Sequence, residues 1–459
     1  PTLGKKPQKN MLMFMKNLLN RIKNWRNISF VQDTAIMQAS NIFTMLVSIA
    51  ASILFARLLL PEQYGMYRVV FSFAGIILIF INLGIDRSMS VFLSEAYVKK
   101  DKKEISKIIA YFIKATLVIS IFIGGLLILS SPFWSKLAYG SEEIGRLSRL
   151  IIISNIAGMA VVFLGIIFQV RRQVGKYAAI ETAKESLKIG FSVMAVFAGL
   201  GVAGMLKGQL VAVIFFAVLS IFIYIFYFSK DPLFPRWNDL ISGWREVKIG
   251  KYLKFAVLNS LDKNVVHLYS LLPLFFLGIF FPAEQVGYFN IAFKYITIPL
   301  LLLSPVSQLL DIRMPQMNAS EGLDKLRRNF HKVSLISGLL TCLIAATAIF
   351  LGPFLIKLFY GKEYAESVPL IYILMPFTVM SGFSIGLGSL FRTLNKMSAS
   401  FAINLILLIL GAWPAFYFTK NYGLAGISSV YFMWFFLSNL ISYIYIRKYL
   451  YTSINVAAN

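Results

Sequence analysis

Apolar residues along this chain gather into blocks of twenty or more, separated by short stretches rich in charge, Gly or Pro. A helix of that length crosses a bilayer core of ~30 Å. The breaks between blocks predict twelve helices, over 31–57, 67–93, 108–130, 147–170, 178–200, 204–228, 253–280, 285–311, 330–351, 366–391, 399–419 and 424–446. The fifth is the least apolar, with Glu181, Lys184, Glu185 and Lys188 crowded into its first half. The pattern predicts an all-α integral membrane protein.

Composition sharpens this by exclusion. Of 459 residues, 58% are hydrophobic and 14% charged, and the mean hydropathy is +0.73. Soluble domains carry about 25% charged residues, and twelve crossings leave no length for a sizeable soluble domain. The balance of 45 Lys+Arg against 20 Asp+Glu, formally +25, would point to nucleic acid in a soluble chain. Here the cations collect in alternate connections. One side holds Lys5, Lys6, Lys9, Lys16, Arg21, Lys23 and Arg26, then the Lys99–Lys107 cluster, Arg171, Arg172 and Lys176, the segment 229–252, Arg313 to Arg328, Arg392, Lys396, Arg447 and Lys448. The other side holds only Lys136, Arg146, Lys357, Lys362 and Lys420. The positive-inside rule then places both termini in the cytoplasm, across a cell inner or plasma membrane. An even number of spans requires the same, and no nucleic-acid partner is expected. A single Cys342 excludes an intrachain disulfide, and two His leave no His-based metal cluster. Residues 11–28 mix basic and apolar positions at helical spacing; they read either as a helix on an anionic leaflet or as a basic flank.

The chain also repeats itself. Glu62-Gln63-Tyr64-Gly65 recurs as Glu284-Gln285-Val286-Gly287, each after a Pro (Pro61, Pro282). Lys136-Leu137-Ala138-Tyr139-Gly140 recurs as Lys357-Leu358-Phe359-Tyr360-Gly361, Arg171 as Arg392, and Gly201-Val202-Ala203-Gly204 as Gly423-Leu424-Ala425-Gly426. All four matches are offset by 221 or 222 residues. The predicted organisation is a basic, amphipathic segment 1–30, an N-lobe 31–228 with helices 1–6, a linker 229–252, a C-lobe 253–447 with helices 7–12, and a tail 448–459. Six spans per repeat give the lobes the same orientation, related by an axis along the membrane normal. Two parallel six-helix lobes enclose a central cavity and suit a transporter working by alternating access.

Ionisable residues at the bilayer centre cost about 2.5–3.5 kcal/mol on insertion scales and mark function, whereas those at span ends snorkel. Arg57, Arg68, Lys254 and Arg392 fall in the second class. Lys294, Lys263, Lys114, Lys184 and Lys188 are the candidate substrate-facing cations, with Lys294 foremost because no acidic residue lies within four positions. Glu181, Glu185, Asp262 and Asp86 are candidates for coupling to an ion. Glu181–Lys184 and Glu185–Lys188 also fit a self-neutralising stripe, and Asp86-Arg87 a packing role near the end of helix two. Lysines exceed carboxylates, so the lumen is expected to draw anions, and a diphosphate headgroup suits mobile point charges. Gln38, Asn41, Asn155, Asn259, Asn264 and Asn404 either contact a glycan or bond along helix seams. Pro273, Pro299, Pro305 and Pro376 are hinge candidates, since Pro bends a helix.

Catalytic signatures are missing: no GxxxxGK[ST] phosphate loop, GxSxG, HExxH or paired-Cys spacing occurs. An enzyme, including a membrane polymerase or ligase with a large external loop, is not expected, nor is a metal or other cofactor.

The run Phe55-Ala56-Arg57-Leu58-Leu59-Leu60-Pro61-Glu62-Gln63-Tyr64-Gly65 resembles the motif closing the first helix in the polysaccharide flippases (O-antigen, capsule and teichuronic types) of the multidrug/oligosaccharidyl-lipid/polysaccharide exporter superfamily. Glu284 to Lys294 resembles the family's E-x-V-G-x-Y-x-x-A-x-K stretch, with the Tyr one residue early at Tyr288. Leu358 to Tyr364 is a third echo. The resemblance implies a V-shaped pair of lobes that flips polyprenyl-pyrophosphate-linked oligosaccharides to the outer leaflet on a proton or sodium gradient. It implies the lipid bilayer, the lipid-linked glycan, a polysaccharide polymerase and a chain-length regulator as partners, and maps Lys294 onto a family motif. A drug or organic-cation antiporter of the same superfamily is the alternative.

Overall fold

A computed structural model describes residues 29–236 and 249–458, and it is helical throughout, with no strand among the described residues. The helices are α1 (Ser29–Leu78), α2 (Ile85–Val98), α3 (Lys102–Ile119), α4 (Gly125–Tyr139), α5 (Glu142–Val170), α6 (Val174–Phe197), α7 (Gly201–Phe226), α8 (Ile249–Phe280), α9 (Ala283–Phe359), α10 (Ser367–Phe383), α11 (Leu387–Thr393) and α12 (Met397–Ala458). Residues 1–28 and 237–248, half of the linker, lie outside the described residues.

Three of these helices are hairpins. In α1 the chain breaks at Leu60 (φ 59°, ψ 169°) and restarts with Pro61, the residue best suited to a first helical position. The arms turn back on each other, since Ser52 Oγ lies 3.3 Å from Tyr64 Oη, twelve residues on. α9 breaks at Gly322 and α12 at Gly423. Ser438 Oγ reaching Asn404 Oδ1 at 2.7 Å shows the arms of α12 side by side.

By length and composition, eight stretches among the described residues can cross a membrane. Two of them, Ile36–Leu78 and Met397–Leu450, contain the breaks at Leu60 and Gly423 and cross twice. The charge-bearing α6 and the long α8 complete twelve crossings. This is a multi-pass membrane protein.

The repeat is written into the backbone. Eight of the twelve positive-φ residues among those described fall into four pairs: Lys100 (φ 55°) with Gly322 (φ 79°), Gly140 (69°) with Gly361 (104°), Arg172 (56°) with Asn395 (54°), and Gly201 (55°) with Gly423 (56°). Each pair sits 221 to 223 residues apart and ends a crossing. Halves sharing one architecture therefore pack side by side, with one main apolar core running through both. A second cluster (Leu310, Met314, Leu326, Phe330, Leu390, Phe391) lies where α9, α11 and the second arm of α12 meet.

Two crossings differ from their sequence expectation. The second is not one helix over 67–93: it starts at Pro61, stops at Leu78, and resumes after Gly84 (φ 76°) as α2. The tenth breaks at Ser384–Gly386 between α10 and α11. The third crossing is helical on both sides of a π-helical turn, Ser120–Gly124. The hinge candidates Pro273, Pro299, Pro305 and Pro376 all lie inside continuous helix.

The end of the molecule carrying Leu60-Pro61 and Phe281-Pro282, the far end below, is where the halves lock. A Cβ on Gly65 would stand 1.7 Å from the Ala283 carbonyl oxygen, and one on Gly287 2.8 Å from that of Pro61. The repeated glycines thus let two helix starts touch backbone to backbone. Around them Tyr64 Oη donates to Asn290 Oδ1 at 3.0 Å, Tyr364 Oη to the Ala56 carbonyl at 2.9 Å, and Arg57 Nε to the Phe359 carbonyl at 2.8 Å. Tyr64 and Tyr364, both 1% exposed, meet edge to face at 6.2 Å. At the opposite, basic end the halves touch along one flank. Tyr252 Oη donates to Glu104 at 2.8 Å with its ring against Phe92 and Tyr111, and Asn264 donates to the Asn82 carbonyl at 3.2 Å.

Candidate functional site

Between the halves, on the basic side of the far-end seam, lies a cavity of 1020 Å³. Its two walls are chemically different. The N-half wall carries Asp86 and Arg87 from the first turn of α2, Asn155 from α5, Lys184, Glu185 and Lys188 from α6, and Gln209 from α7. The C-half wall carries Ser260, Asn264, His267, Tyr269 and Ser270 from α8, with Phe377 from α10 and Asn404, Tyr431, Phe435, Ser438 and Asn439 from α12. Among the described residues, every Asp, Glu, Lys and Arg side chain lining the cavity belongs to the N-half.

The α6 charges form a ladder because their spacing stacks them on one helical face. Lys184 Nζ lies 2.6 Å from Glu181 Oε1 and 3.6 Å from Glu185 Oε1, and Lys188 pairs with Glu185. All four side chains are about a third exposed or less, where an unpaired charge is costly and a paired one persists. The stripe is neutral as a unit; among the charged residues that line the cavity itself three are cations and two carboxylates, because Glu181 stands behind the lining.

The other expected site residues are distributed as follows. Lys184, Lys188, Glu185 and Asp86 line the cavity, and Glu181 supports the ladder behind them. Asp86-Arg87, which the sequence left between ion coupling and packing, opens onto the lumen because the break at Gly84 begins a new helix there. Lys114 is half-buried on α3, away from the cavity lining. Lys294 also stands outside that lining: its Nζ donates to Ser52 Oγ at 2.5 Å, across the far-end seam. The side chains of Asp262, Lys263 and Asn259 lie outside the described residues. Of the amides, Asn155, Asn264 and Asn404 line the cavity, while Gln38 and Asn41 do not.

Sequence reasoning missed Arg68. Treated as a snorkelling end residue, it sits two turns inside the helix that starts at Pro61. It lines a side pocket of 100 Å³ with Asn290, His267 and Ser270, directly beside the main cavity. Its Nε is buried without a partner, while its guanidinium lies 5.1 Å from the Phe71 ring centroid. A buried N–H without an acceptor is a receptor for an anionic or carbonyl oxygen. Asn155 Oδ1 is likewise buried without a partner, and it asks for a donor. Tyr64 and Ser52 were missed too; the signal was the Glu-Gln-Tyr-Gly motif, whose Tyr and Gly both face the other half. Arg392, half-exposed in the last turn of α11, pairs with Asp311, which also accepts from Ser389.

With this geometry in hand, residues 54–369 match the profile of a family described as polysaccharide biosynthesis protein. The chain belongs to this family. No curated protein sequence matches it. Several solved structures share its fold. An inward-facing multidrug resistance transporter of the MATE family, MOP superfamily, superposes with a TM-score of 0.69 at 16% identity, over 89% of this chain and 95% of that one. An outward-facing form gives 0.61 at 15%, over 92% and 96%. A MOP superfamily transporter from Pyrococcus furiosus, described as having a binding pocket of reverse polarity that suggests a different function, gives 0.63 at 13%, over 92% and 95%. The polysaccharide biosynthesis family member thus shares its fold with transporters of the MOP superfamily.

Proposed function

We propose that this polysaccharide biosynthesis family member is a flippase that carries polyprenyl-pyrophosphate-linked oligosaccharides from the cytoplasmic to the outer leaflet. The observation that supports it best is the cavity with unlike walls. A lipid-linked oligosaccharide has a charged diphosphate and a neutral, hydroxyl-rich sugar chain, and the cavity offers cations on one side and amides, hydroxyls and rings on the other. The positive-inside bias puts the basic end in the cytoplasm, with both termini there. The structure then corresponds to the inward-facing state, its outer end closed by the Gly65–Gly287 contact, Tyr64–Asn290 and Lys294–Ser52.

The diphosphate meets Arg68 at the apex, with Lys184 and Lys188 below it. Its arrival competes for Lys294 and Tyr64 and loosens the outer seam, and rocking of the halves then exposes the cavity outward. A proton or sodium gradient drives the cycle through Asp86 or Glu185, the two carboxylate candidates that line the cavity. The flipped unit passes to a polymerase and its chain-length regulator.

The antiporter alternative needs a carboxylate open to an organic cation; Glu185 is engaged by Lys184 and Lys188, which leaves Asp86 as the lining carboxylate such a cation would use. Equilibrium binding to the purified protein separates the two. Saturable binding of a fluorescent polyprenyl-pyrophosphate oligosaccharide, displaced by inorganic pyrophosphate, is expected. Binding of a lipophilic cation alone, unaffected by pyrophosphate, contradicts the proposal.

A further inference from the structure

We infer that the C-half wall of the cavity is a carbohydrate-reading platform, centred on Tyr269, Phe435 and Asn439, and that it sets which glycan repeat units are carried. The inference rests on the flippase reading above and goes beyond it by assigning the sugar to one wall. A sugar ring offers two surfaces: hydroxyls, each both donor and acceptor, and a patch of C–H groups that packs on an aromatic face. Side-chain amides answer the first and half-buried rings the second.

The C-half wall supplies both and adds, among its described residues, no Asp, Glu, Lys or Arg. Phe435 is half-buried and fixed from behind by Phe377, ring centroids 4.3 Å apart. Phe377 is in turn braced by Tyr431 at 5.4 Å. Tyr269, also half-buried, is held edge-on by Trp434 at 5.3 Å, and its hydroxyl is tied to the Asn404 carbonyl at 2.8 Å. Two rings are therefore held in fixed orientation at the lumen, with little side-chain entropy left to lose on binding.

The amides divide the labour. Asn404 is engaged at both ends: its oxygen takes Ser438 Oγ at 2.7 Å and its nitrogen gives to the Ser400 carbonyl at 3.0 Å. It is a brace that holds the two arms of α12 together. Asn439 commits its nitrogen to the Phe435 carbonyl at 2.7 Å, which leaves its side-chain oxygen as an acceptor and links its position to that of the Phe435 backbone. Across the lumen, the partnerless Asn155 Oδ1 supplies a second acceptor for hydroxyl donors. A lipophilic cation gains less from this wall, since the carboxylates it needs stand opposite and one is held by lysines.

The test compares two donors on the same polyprenyl pyrophosphate in proteoliposomes, one bearing an oligosaccharide and one a single sugar. Phe435→Ala and Asn439→Leu should each lower the ratio of oligosaccharide to single-sugar flipping by about ten-fold, the scale of one stacked ring or one specific hydrogen bond. Phe435→Trp, which keeps a ring, should restore most of the ratio. Free oligosaccharide should raise the melting temperature of the wild-type protein and not that of Asn439→Leu. An unchanged ratio in both variants, with both donors slowed equally or neither slowed, overturns the platform while the flippase reading stands. Wild-type protein that moves neither donor overturns the flippase reading, and the platform with it.

Discussion

The two halves of this protein share a backbone and differ in what they show the lumen. Gly65 and Gly287, Gly140 and Gly361, and Gly201 and Gly423 occupy equivalent places and make equivalent turns or close approaches. The charged ladder has no such counterpart. At an offset of 222 residues, Glu181, Lys184, Glu185 and Lys188 fall on Ile403, Ile406, Leu407 and Leu410, and Asp86-Arg87 falls on Gln308-Leu309. What the halves keep in common is therefore architecture, in the residues that end helices and let them touch. The chemistry sits where the repeat has diverged.

Substitutions can break that distinction or sharpen it. The largest effect is expected at the shared glycines: Gly65→Val should abolish transport and lower the melting temperature, an overpacking cost of about 3 kcal/mol. Gly287→Ala, with more room, should cost about 1 kcal/mol, so thermal melts of the two variants should rank in that order. Equal effects would mean that the two helix starts are not packed as described. Lys294→Glu should reduce flipping by about two orders of magnitude with normal membrane insertion, because it replaces the Lys294–Ser52 bond of the outer seam with a buried carboxylate. Normal flipping by a well-expressed Lys294→Glu variant removes that residue from the mechanism. Lys188→Met should be intermediate, about ten-fold, since Glu185 keeps Lys184 at 3.6 Å. Leu410→Met, at the equivalent position of the C-half, should change the rate less than about two-fold. Lys102→Ala, at the basic end, should be the mildest, within about two-fold of wild type.

Much of the fold was legible in the sequence. Twelve crossings and their repeat follow from block length and from four matched junctions, because a membrane leaves the chain no other way to satisfy its backbone. The breaks at Gly84 and Gly386 were not legible: the apolar run from Leu78 to Leu83 continues through the first, and hydropathy does not register a few residues of lost helix. The site was legible in part. The α6 ladder could be read because i, i+3 spacing fixes neighbours on one helix. Lys294 was located by depth along its span, which says nothing of which face it occupies. Residues 286–303 of α9 are apolar nearly all round, so the pattern could not tell that Lys294 faces a seam between the halves. Arg68 was discounted because the apolar block was taken to start at Tyr67, whereas Pro61 starts the helix. The C-half wall was the least visible, since Tyr431, Phe435 and Asn439 converge with Tyr269 only once α12 folds back on itself and packs beside α8.

Flipping in proteoliposomes tests the central claim most directly. A fluorescent polyprenyl-pyrophosphate oligosaccharide is placed in the outer face of vesicles, and its protection from an added glycosidase is followed with and without a proton or sodium gradient. The account predicts protein-dependent protection that one of the two gradients accelerates. No protection, alongside gradient-driven uptake of a lipophilic cation by the same vesicles, would contradict it.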